Sequence, residues 1–233
     1  MDYSTLAYHL ERCHTRRIAL RPVTLTDAWP LFQATRNSSF NRWLLWPQPD
    51  EDLLVRQRVE RIVEAATLGR LAAVSAVVKD TGEWISLFRF LPFRGRDDTM
   101  EMGIWTHHRF WHGRYSFELG RLCIDVAFST CPELQRLVGA ASPENEPSCR
   151  LMELCGLRAG ELELRPTEGD QPLLLREYAV TREQWQATHG HRVSFRRFDE
   201  EDHHNFPAPA VAAVEARSAD DCEGLPQVAA KCA

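Results

Sequence analysis

The stretch that decides the fold is Ala140–Arg158, AASPENEPSCRLMELCGLR. It overlaps an apolar segment, Leu134–Ala141, that predicts a short β-strand. Asn145 is a favourable N-cap residue and Gly156 is a favourable helix terminator, so the residues between them predict a helix. A strand that runs directly into a helix indicates a βαβ unit in the second half of the chain.

Outside this stretch, alternation of apolar and polar residues predicts strands, and apolar residues on one stripe predict helices. The predicted strands are Arg17–Val23, Leu71–Val78, Trp84–Leu91, Thr99–Thr106, Leu162–Leu164 and Leu173–Val180, and the predicted helices run from Thr26 or Asp27 to Arg36, from Leu53 to Thr67 and from Arg114 to Phe128. Asn37–Asp52, rich in Trp, Pro and Asn, predicts a loop. The order β-α-α-β-β-β-α-β-α-β-β predicts a mixed α/β fold with a mainly antiparallel sheet flanked by helices.

The composition of the 233-residue chain is that of a globular protein, with 44% hydrophobic and 26% charged residues. Its formal net charge of −5 does not favour nucleic acid as a partner. The seven cysteines include no CxxC pair, which argues against a disulfide framework or a zinc site and fits a reduced compartment. No apolar stretch is long enough to span a membrane. We therefore expect a cytoplasmic protein with no metal, nucleic-acid or membrane partner.

The chain divides into three predicted parts. Residues 1–15 form an N-terminal extension, residues 16–190 form the α/β domain, and residues 191–233 form a polar tail. From about Asn205 onward the tail is rich in Ala, Pro, Asp and Glu and shows no periodicity, which is typical of a flexible segment.

Four segments resemble one protein family. Ala140–Arg158 resembles the pattern P-x-N-x-x-S-x-x-x-x-E-K-x-G-F-R of the GNAT acyltransferases, in the branch that acetylates the N-terminal amines of ribosomal proteins. Arg16–Asp27, RRIALRPVTLTD, resembles the opening R-L-x-L-R-P-x-x-x-x-D of that branch. Met100–Trp105, MEMGIW, resembles x-E-x-G-Y-W, and His108–Phe128 resembles the F-W-G-x-G-Y-x-x-E-A loop and helix. The resemblance spans Arg16–Trp185.

The resemblance implies a GNAT-like fold and an N-acyltransferase, most simply an N-acetyltransferase. Such an enzyme takes acetyl-CoA as its acyl-donor cosubstrate and uses no metal. The acceptor would be a primary amine, either of a small molecule or of a peptide or protein N-terminus. A homodimer is compatible with the sequence.

The resemblance also implies where the donor binds. The pyrophosphate would lie at the start of the helix that begins near Arg114, since a helix N-terminus presents free N–H groups and a positive dipole end. The pantetheine arm would lie along the end of the strand before that helix. The implied donor-binding residues are Ile104, Trp105, Thr106, Arg109, His112, Gly113, Arg114, Tyr115, Ser116 and Asn145.

The phosphate loop departs from the family pattern. His112 and Arg114 occupy the two positions where the family has glycine or another small residue, and Gly113 falls between them. In one explanation the loop is remodelled, and Arg114 or Arg109 supplies charge in place of lost N–H contacts. In the other, CoA binds weakly, differently or not at all. A carrier-protein-bound donor or a non-catalytic binding module would then be the alternative.

The catalytic residues implied by the resemblance are Glu101, as the base that deprotonates the amine, and Ser148, as the acid that protonates the leaving thiolate. Each has a simpler structural alternative. Glu101 could face solvent from a half-exposed strand, and Ser148 could bond the backbone in the first helical turn. Asn145 could likewise serve only as an N-cap.

The acceptor pocket would be shaped by the loop Asn37–Pro49. Phe40, Trp43 and Trp46 could form an aromatic wall for the acceptor. The same three residues could equally belong to the core beneath a long loop.

Overall fold

The computed structural model describes residues 1–112, 114–168, 171–188 and 196–197. The helices in this part of the chain are α1 (Tyr3–Glu11), α2 (Ala28–Thr35), α3 (Ser38–Asn41), α4 (Asp52–Thr67), α5 (Tyr115–Thr130), α6 (Glu146–Leu154) and α7 (Arg182–Thr188). The strands are β1 (Cys13–His14), β2 (Ile18–Pro22), β3 (Ala72–Val78), β4 (Trp84–Phe93), β5 (Arg96–Thr106), β6 (Arg136–Ala141), β7 (Arg158–Arg165), β8 (Leu173–Thr181) and β9 (Arg196–Arg197).

These strands form one open sheet in the order β7-β8-β6-β5-β4-β3-β2-β1-β9. Neighbouring strands are antiparallel except for β5 and β6, which pair in parallel. A parallel pair needs a long crossover, and here α5 supplies it. The prediction of a mixed α/β fold with a mainly antiparallel sheet flanked by helices is confirmed.

Helices cover both faces of the sheet. On one face, α1 and α5 pack over apolar side chains that include Phe88, Phe90 and Met100. On the other face, α2 and α4 cover a second cluster that includes Leu87. Phe88 and Leu87 belong to different clusters because successive side chains of a strand point to opposite faces. None of the helices in the described part of the chain has the length and apolar character needed to cross a membrane.

The first residues are packed into the fold. Asp2 caps α1 by accepting a hydrogen bond from the Thr5 N–H at 3.0 Å. Tyr3, Leu6 and Leu10 are buried in the cluster beneath α5. The sequence places residues 1–15 outside the domain, but burial of these three side chains makes the segment part of the core. The boundary at residue 190 stays a prediction, and the predicted tail, apart from Arg196–Arg197, lies outside the described residues.

The segment Asn37–Asp52 is not wholly a loop, as the sequence predicts. It contains the short helix α3, whose first turn is capped by the Asn37 side chain. The Asn37 Oδ1 accepts hydrogen bonds from the N–H groups of Ser39 and Phe40. A single capped turn is too short to leave a periodic apolar pattern in the sequence.

A buried carboxylate explains the opening signature Arg16–Asp27. Asp27 is 1% exposed and forms a two-pronged ion pair with the Arg21 guanidinium, at 2.5 and 3.0 Å. It also accepts hydrogen bonds from the Thr24 N–H and the Ser75 hydroxyl, both at 2.8 Å. Asp27 therefore joins the turn before α2 to strands β2 and β3.

We predict that Asp27→Asn lowers the free energy of unfolding by about 2–3 kcal/mol, because it leaves the Arg21 guanidinium without its charged partner. Urea denaturation followed by circular dichroism measures this loss. The control is Glu60→Gln, which breaks the exposed Arg56–Glu60 pair and should cost less than about 0.5 kcal/mol. Equal losses in the two variants would contradict the structural role given to Asp27.

Candidate active site

The site begins where β5 and β6 separate. The two strands pair over three positions only, and the last pair is Glu101 with Val138. Beyond it, β5 continues to Thr106 and β6 to Ala141, but the two strands no longer pair with each other. The backbone N–H and C=O groups on this edge of β5 therefore have no strand partner and can bond the amide groups of an extended ligand.

Glycine shapes the β6 side of this gap. A Cβ on Gly139 would lie 3.3 Å from both the Sδ and Cε atoms of Met152, and 3.7 Å from the Cε of Met102. The missing side chain thus lets α6 approach β6, with the Met152 thioether filling the space. This packing places the first turn of α6 next to the gap.

The N-terminus of α5 has the form of an anion site. The helix is 16 residues long, and no side chain caps its first turn. The N–H groups of Tyr115, Ser116 and Phe117 therefore have no partner within the helix. Arg114, the N-cap residue, has φ = 66°, a left-handed conformation that glycine adopts readily. The backbone keeps the conformation that a family glycine would take, although the residue is arginine.

Two contacts fix the start of α5 to the end of β5. The Ser116 hydroxyl donates to the Thr106 hydroxyl at 3.2 Å, and the Trp111 indole N–H donates to the Thr106 carbonyl at 2.9 Å. From the other side, the Arg17 guanidinium donates to Glu118 at 2.6 and 2.9 Å. The predicted donor residues Thr106, Tyr115 and Ser116 are brought together by these contacts.

The basic residues of the loop before α5 differ in their hydrogen bonds and ion pairs. Arg109 forms an ion pair with Glu83 at 2.6 Å, so its guanidinium has a partner within the chain. The Arg114 side chain is exposed and has no hydrogen bond or ion pair to any described residue. His112 is also exposed, and the predicted residue Gly113 lies outside the described residues. Arg114 is therefore the better placed of the two arginines to meet a phosphate.

His107, which the sequence did not mark as functional, holds the turn before α5. Its Nδ1 accepts the Arg109 N–H at 3.3 Å. Burial, with the neighbouring positive charges of His108 and Arg109, lowers the pKa of His107 to about 4. The imidazole is therefore neutral near pH 7 and keeps its acceptor nitrogen.

Across the gap, α6 presents two predicted residues. The Asn145 Oδ1 accepts the Ser148 N–H at 3.4 Å and so caps the helix. Ser148 is half-buried in the first turn. The neighbouring Cys149 thiol donates to the Ser142 carbonyl at 3.4 Å. The capping role of Asn145 has a structural basis, and a contact with the donor stays a prediction.

Glu101 lies on the face of β5 that is covered by α2 and α4. The Arg165 guanidinium on β7 donates to its Oε1 at 2.8 Å. Glu101 is therefore a paired, half-buried carboxylate and does not point into open solvent. Its other oxygen, Oε2, has no hydrogen bond to the described residues and can accept one from a ligand.

The three predicted aromatic residues do not form one wall. Phe40 and Trp46 are buried, at 8% and 7% exposure, in the core cluster with α2 and α4. Trp43 is half-buried and lies under the Arg42 guanidinium. Trp46 contacts Trp105 edge to face, with ring centroids 6.0 Å apart, and so joins this core to β5.

Sequence reasoning missed three arginines on this face. Arg58 of α4 pairs with Glu168 at 2.5 Å and lies over the Trp46 ring. Arg89 of β4 lies over the Trp105 ring, 4.6 Å from its centroid. Arg165 of β7 pairs with Glu101. One signal was present in the sequence, since Arg89 is the one charged residue within the strand prediction Trp84–Leu91.

The described start of the loop after β7 contacts the segment after α3. The Glu168 N–H donates to the Leu45 carbonyl at 2.8 Å, which joins the loop to the segment after α3.

Within the described residues, no group of three or more His, Cys, Asp or Glu side chains is arranged to hold a metal ion.

Comparison with known proteins bears on the family. Residues 17–158 match the family described as an acetyltransferase (GNAT) domain. None of the curated proteins matches the chain.

Solved structures share its fold. A GNAT-family acetyltransferase from Bacillus anthracis is 18% identical, with TM-score 0.63, over 73% of this chain and 98% of its own. Mycobacterium smegmatis RimJ, in complex with CoA-disulfide, is 20% identical, with TM-score 0.58, over 73% and 88%. The ribosomal-protein-S5-alanine acetyltransferase of Vibrio fischeri is 15% identical, with TM-score 0.59, over 74% and 97%.

These structural likenesses concern the fold alone, and the family match covers more than half of the sequence. It includes the separating strands, the uncapped start of α5 and the whole of α6. The chain therefore belongs to the GNAT acetyltransferase family.

Proposed function

We propose that this protein is an N-acetyltransferase that moves the acetyl group of acetyl-CoA to a primary amine of a small molecule or of a peptide or protein N-terminus. The observation that carries the proposal is the gap between β5 and β6, with the uncapped start of α5 at its end. An amine as acceptor is supported by the fold neighbour described as a ribosomal-protein-S5-alanine acetyltransferase. The five described cysteines are free thiols, which fits a cytoplasmic enzyme.

The residues present fit a bound acetyl-CoA. The N–H groups of Tyr115 and Ser116 and the charge of Arg114 would hold the pyrophosphate, as a helix start does for anions. The free edge of β5 at Ile104, Trp105 and Thr106 would bond the amides of the pantetheine arm. When bound, acetyl-CoA supplies an activated acetyl thioester.

Two side chains would carry out the proton transfers of the reaction. Glu101 would accept a proton from the acceptor ammonium, which frees the nitrogen lone pair to form the new C–N bond as the C–S bond breaks. Ser148 would donate its hydroxyl proton to the departing thiolate. The nitrogen would lose its second proton once the C–N bond has formed, and that proton, carried by water, would replace the one that Ser148 gave up. Asn145 would orient the first turn of α6. The proposal is supported by the positions of Glu101 at the last β5–β6 pair and of Ser148 in the first turn of the helix after β6.

We expect the purified protein to release free thiol from acetyl-CoA when a reactive primary amine or peptide is present. Glu101→Gln should lower kcat about 10²–10⁴-fold, because the base is lost. Ellman-type thiol detection measures this effect.

Glu163→Gln is the matched control. Glu163 also contacts Arg165, at 3.3 Å, but its side chain is 66% exposed, so kcat should stay within about twofold of the wild type. A folded wild-type protein that releases no thiol with any acceptor would contradict the proposed function and favour a non-catalytic binding module.

Arg114→Gly tests the phosphate loop. The variant should raise the free energy of unfolding by up to about 1 kcal/mol, since glycine adopts φ = 66° without strain. It should also weaken CoA binding about tenfold, because a charge-assisted contact is lost. Thermal unfolding and isothermal titration calorimetry with CoA measure the two effects.

Arg109→Ala serves as the comparison, since Glu83 already engages that guanidinium. Its affinity for CoA should match that of the wild type. If Arg114→Gly binds CoA as tightly as the wild type, Arg114 supplies no phosphate contact. A wild type that binds no CoA yet turns over an acyl-carrier protein would identify a carrier-bound donor instead.

A further inference from the structure

Arg89 occupies a space that the neighbouring strand leaves open. In the β4–β5 ladder it pairs with Gly103, and a Cβ on that glycine would lie 3.4 Å from the Arg89 Nε and 3.8 Å from its Cγ. Glu101 and Trp105 flank Gly103 on the same face, because side chains two residues apart on a strand point the same way. The Arg89 side chain therefore lies across the glycine, between a carboxylate and an indole.

Aromatic rings support this guanidinium. Arg89 stacks over Trp105, which contacts Trp46 edge to face, and Trp46 in turn carries Arg58 at 4.4 Å. A guanidinium over an indole is attracted through its face, which leaves the N–H groups in its plane able to donate hydrogen bonds.

Arg89 differs from its neighbours in its pairing. Arg58 pairs with Glu168 and Arg165 pairs with Glu101. Arg89 is half-buried, and within the residues that the structure describes its guanidinium has no hydrogen bond and no ion pair. Burial lowers the pKa of Arg89; the charge of Arg58 acts in the same direction and that of Glu101 in the opposite one. A partly desolvated cation with no anion in direct contact is costly, and a bound anion would offset that cost.

A second donor in the same stack also lacks an acceptor. The indole N–H of Trp46 is buried and has no hydrogen-bond partner in the described part of the chain. Arg89 and the buried indole of Trp46 thus leave two donors unsatisfied beside the face of β5 that bears Glu101. The half-buried Arg89 is the one that an acceptor carrying oxygen atoms could reach.

We propose that Arg89 binds a carboxylate of the acceptor, and that the acceptor is therefore an amine bearing a carboxylate group within a few bonds of its nitrogen. The planar carboxylate matches the outward N–H edge of the stacked guanidinium and accepts two parallel hydrogen bonds from it. Glu101 lies diagonally across the strand pair from Arg89, and such neighbours are about 7–8 Å apart. The two side chains thus offer opposite charges to the two ends of a short zwitterion.

The proposal rests on the proposed acetyltransferase function and narrows its acceptor. The carboxylate has two sources, the free carboxylate of an amino acid or an acidic side chain at the N-terminus of a peptide. A peptide that begins with alanine or serine has neither a free carboxylate next to its amine nor an acidic first side chain. Matched acceptor pairs separate these cases, since the members of each pair differ in one group only.

The experiment measures kcat/KM by thiol release from acetyl-CoA. The pairs are glutamate and its diamide, a peptide with N-terminal Asp and the same peptide with Asn, and β-alanine and phosphoethanolamine. We expect the carboxylate member of at least one of the first two pairs to be preferred about a hundredfold, as sites built to pair a buried polar group reject ligands that lack the partner. We also expect β-alanine to exceed phosphoethanolamine.

Arg89→Gln should abolish the preference mainly by raising KM for the carboxylate acceptor, with kcat toward the amide kept within about threefold. Arg89→Lys should restore part of the preference, because it keeps the charge but not the paired N–H geometry. Arg96→Gln, on the same hairpin but 53% exposed and paired with Asp98, is the control and should keep the wild-type preference.

Several outcomes would overturn the proposal while the acetyltransferase function stands. They are equal rates for the acid and amide members of both pairs, a preference for phosphoethanolamine, or an unchanged preference in folded Arg89→Gln. If no acceptor is acetylated, the proposed function fails separately. Calorimetric binding of glutamate, its diamide and N-acetylglutamate to wild type and Arg89→Gln then tests the carboxylate site, and equal affinities would refute it.

Discussion

The separation of β5 from β6 after three paired positions is the constraint on which the site depends. Because β5 remains paired with β4 along its length, losing β6 exposes its edge without unfolding the strand. One strand can then serve two purposes. In the proposed function, its edge would offer backbone groups to an extended donor, and its face would offer Glu101, Gly103 and Trp105 to an acceptor. The two substrates would then meet at one short segment of β5.

In the phosphate loop, a backbone conformation that glycine favours is adopted by another residue type. Family members place small residues where this chain has His112 and Arg114, and yet Arg114 takes the left-handed conformation that glycine favours. The contacts from Ser116 and Trp111 to Thr106, and from Arg17 to Glu118, hold the loop in that conformation. Tertiary contacts here determine the shape of the loop, and the arginine brings charge that glycine lacks.

Local patterns in the sequence predicted most of the fold. Alternation located the strands of the central meander, and the cap at Asn145 located α6. Helix α1 was missed because its nine residues carry only a short apolar stripe, Tyr3, Leu6 and Leu10, and the burial of that stripe depends partly on α5, far along the chain. The donor-binding residues were predicted through the family resemblance. Arg58, Arg89 and Arg165 were not predicted to lie on one face, since they come together only when α4, β4 and β7 pack in the fold.

The ion pair between Arg17 and Glu118 joins residues 101 positions apart, and α1 and α5 bury a common set of side chains across a similar distance. Strands β2 and β3 give α1 part of its packing surface, and α5 covers the rest. Closing so large a loop is entropically slow, and proteins dominated by such distant contacts reach the native state over milliseconds to seconds. Until α5 docks, Tyr3, Leu6 and Leu10 are only partly covered. The helix that completes the core is therefore an apolar surface open to other chains while the protein folds.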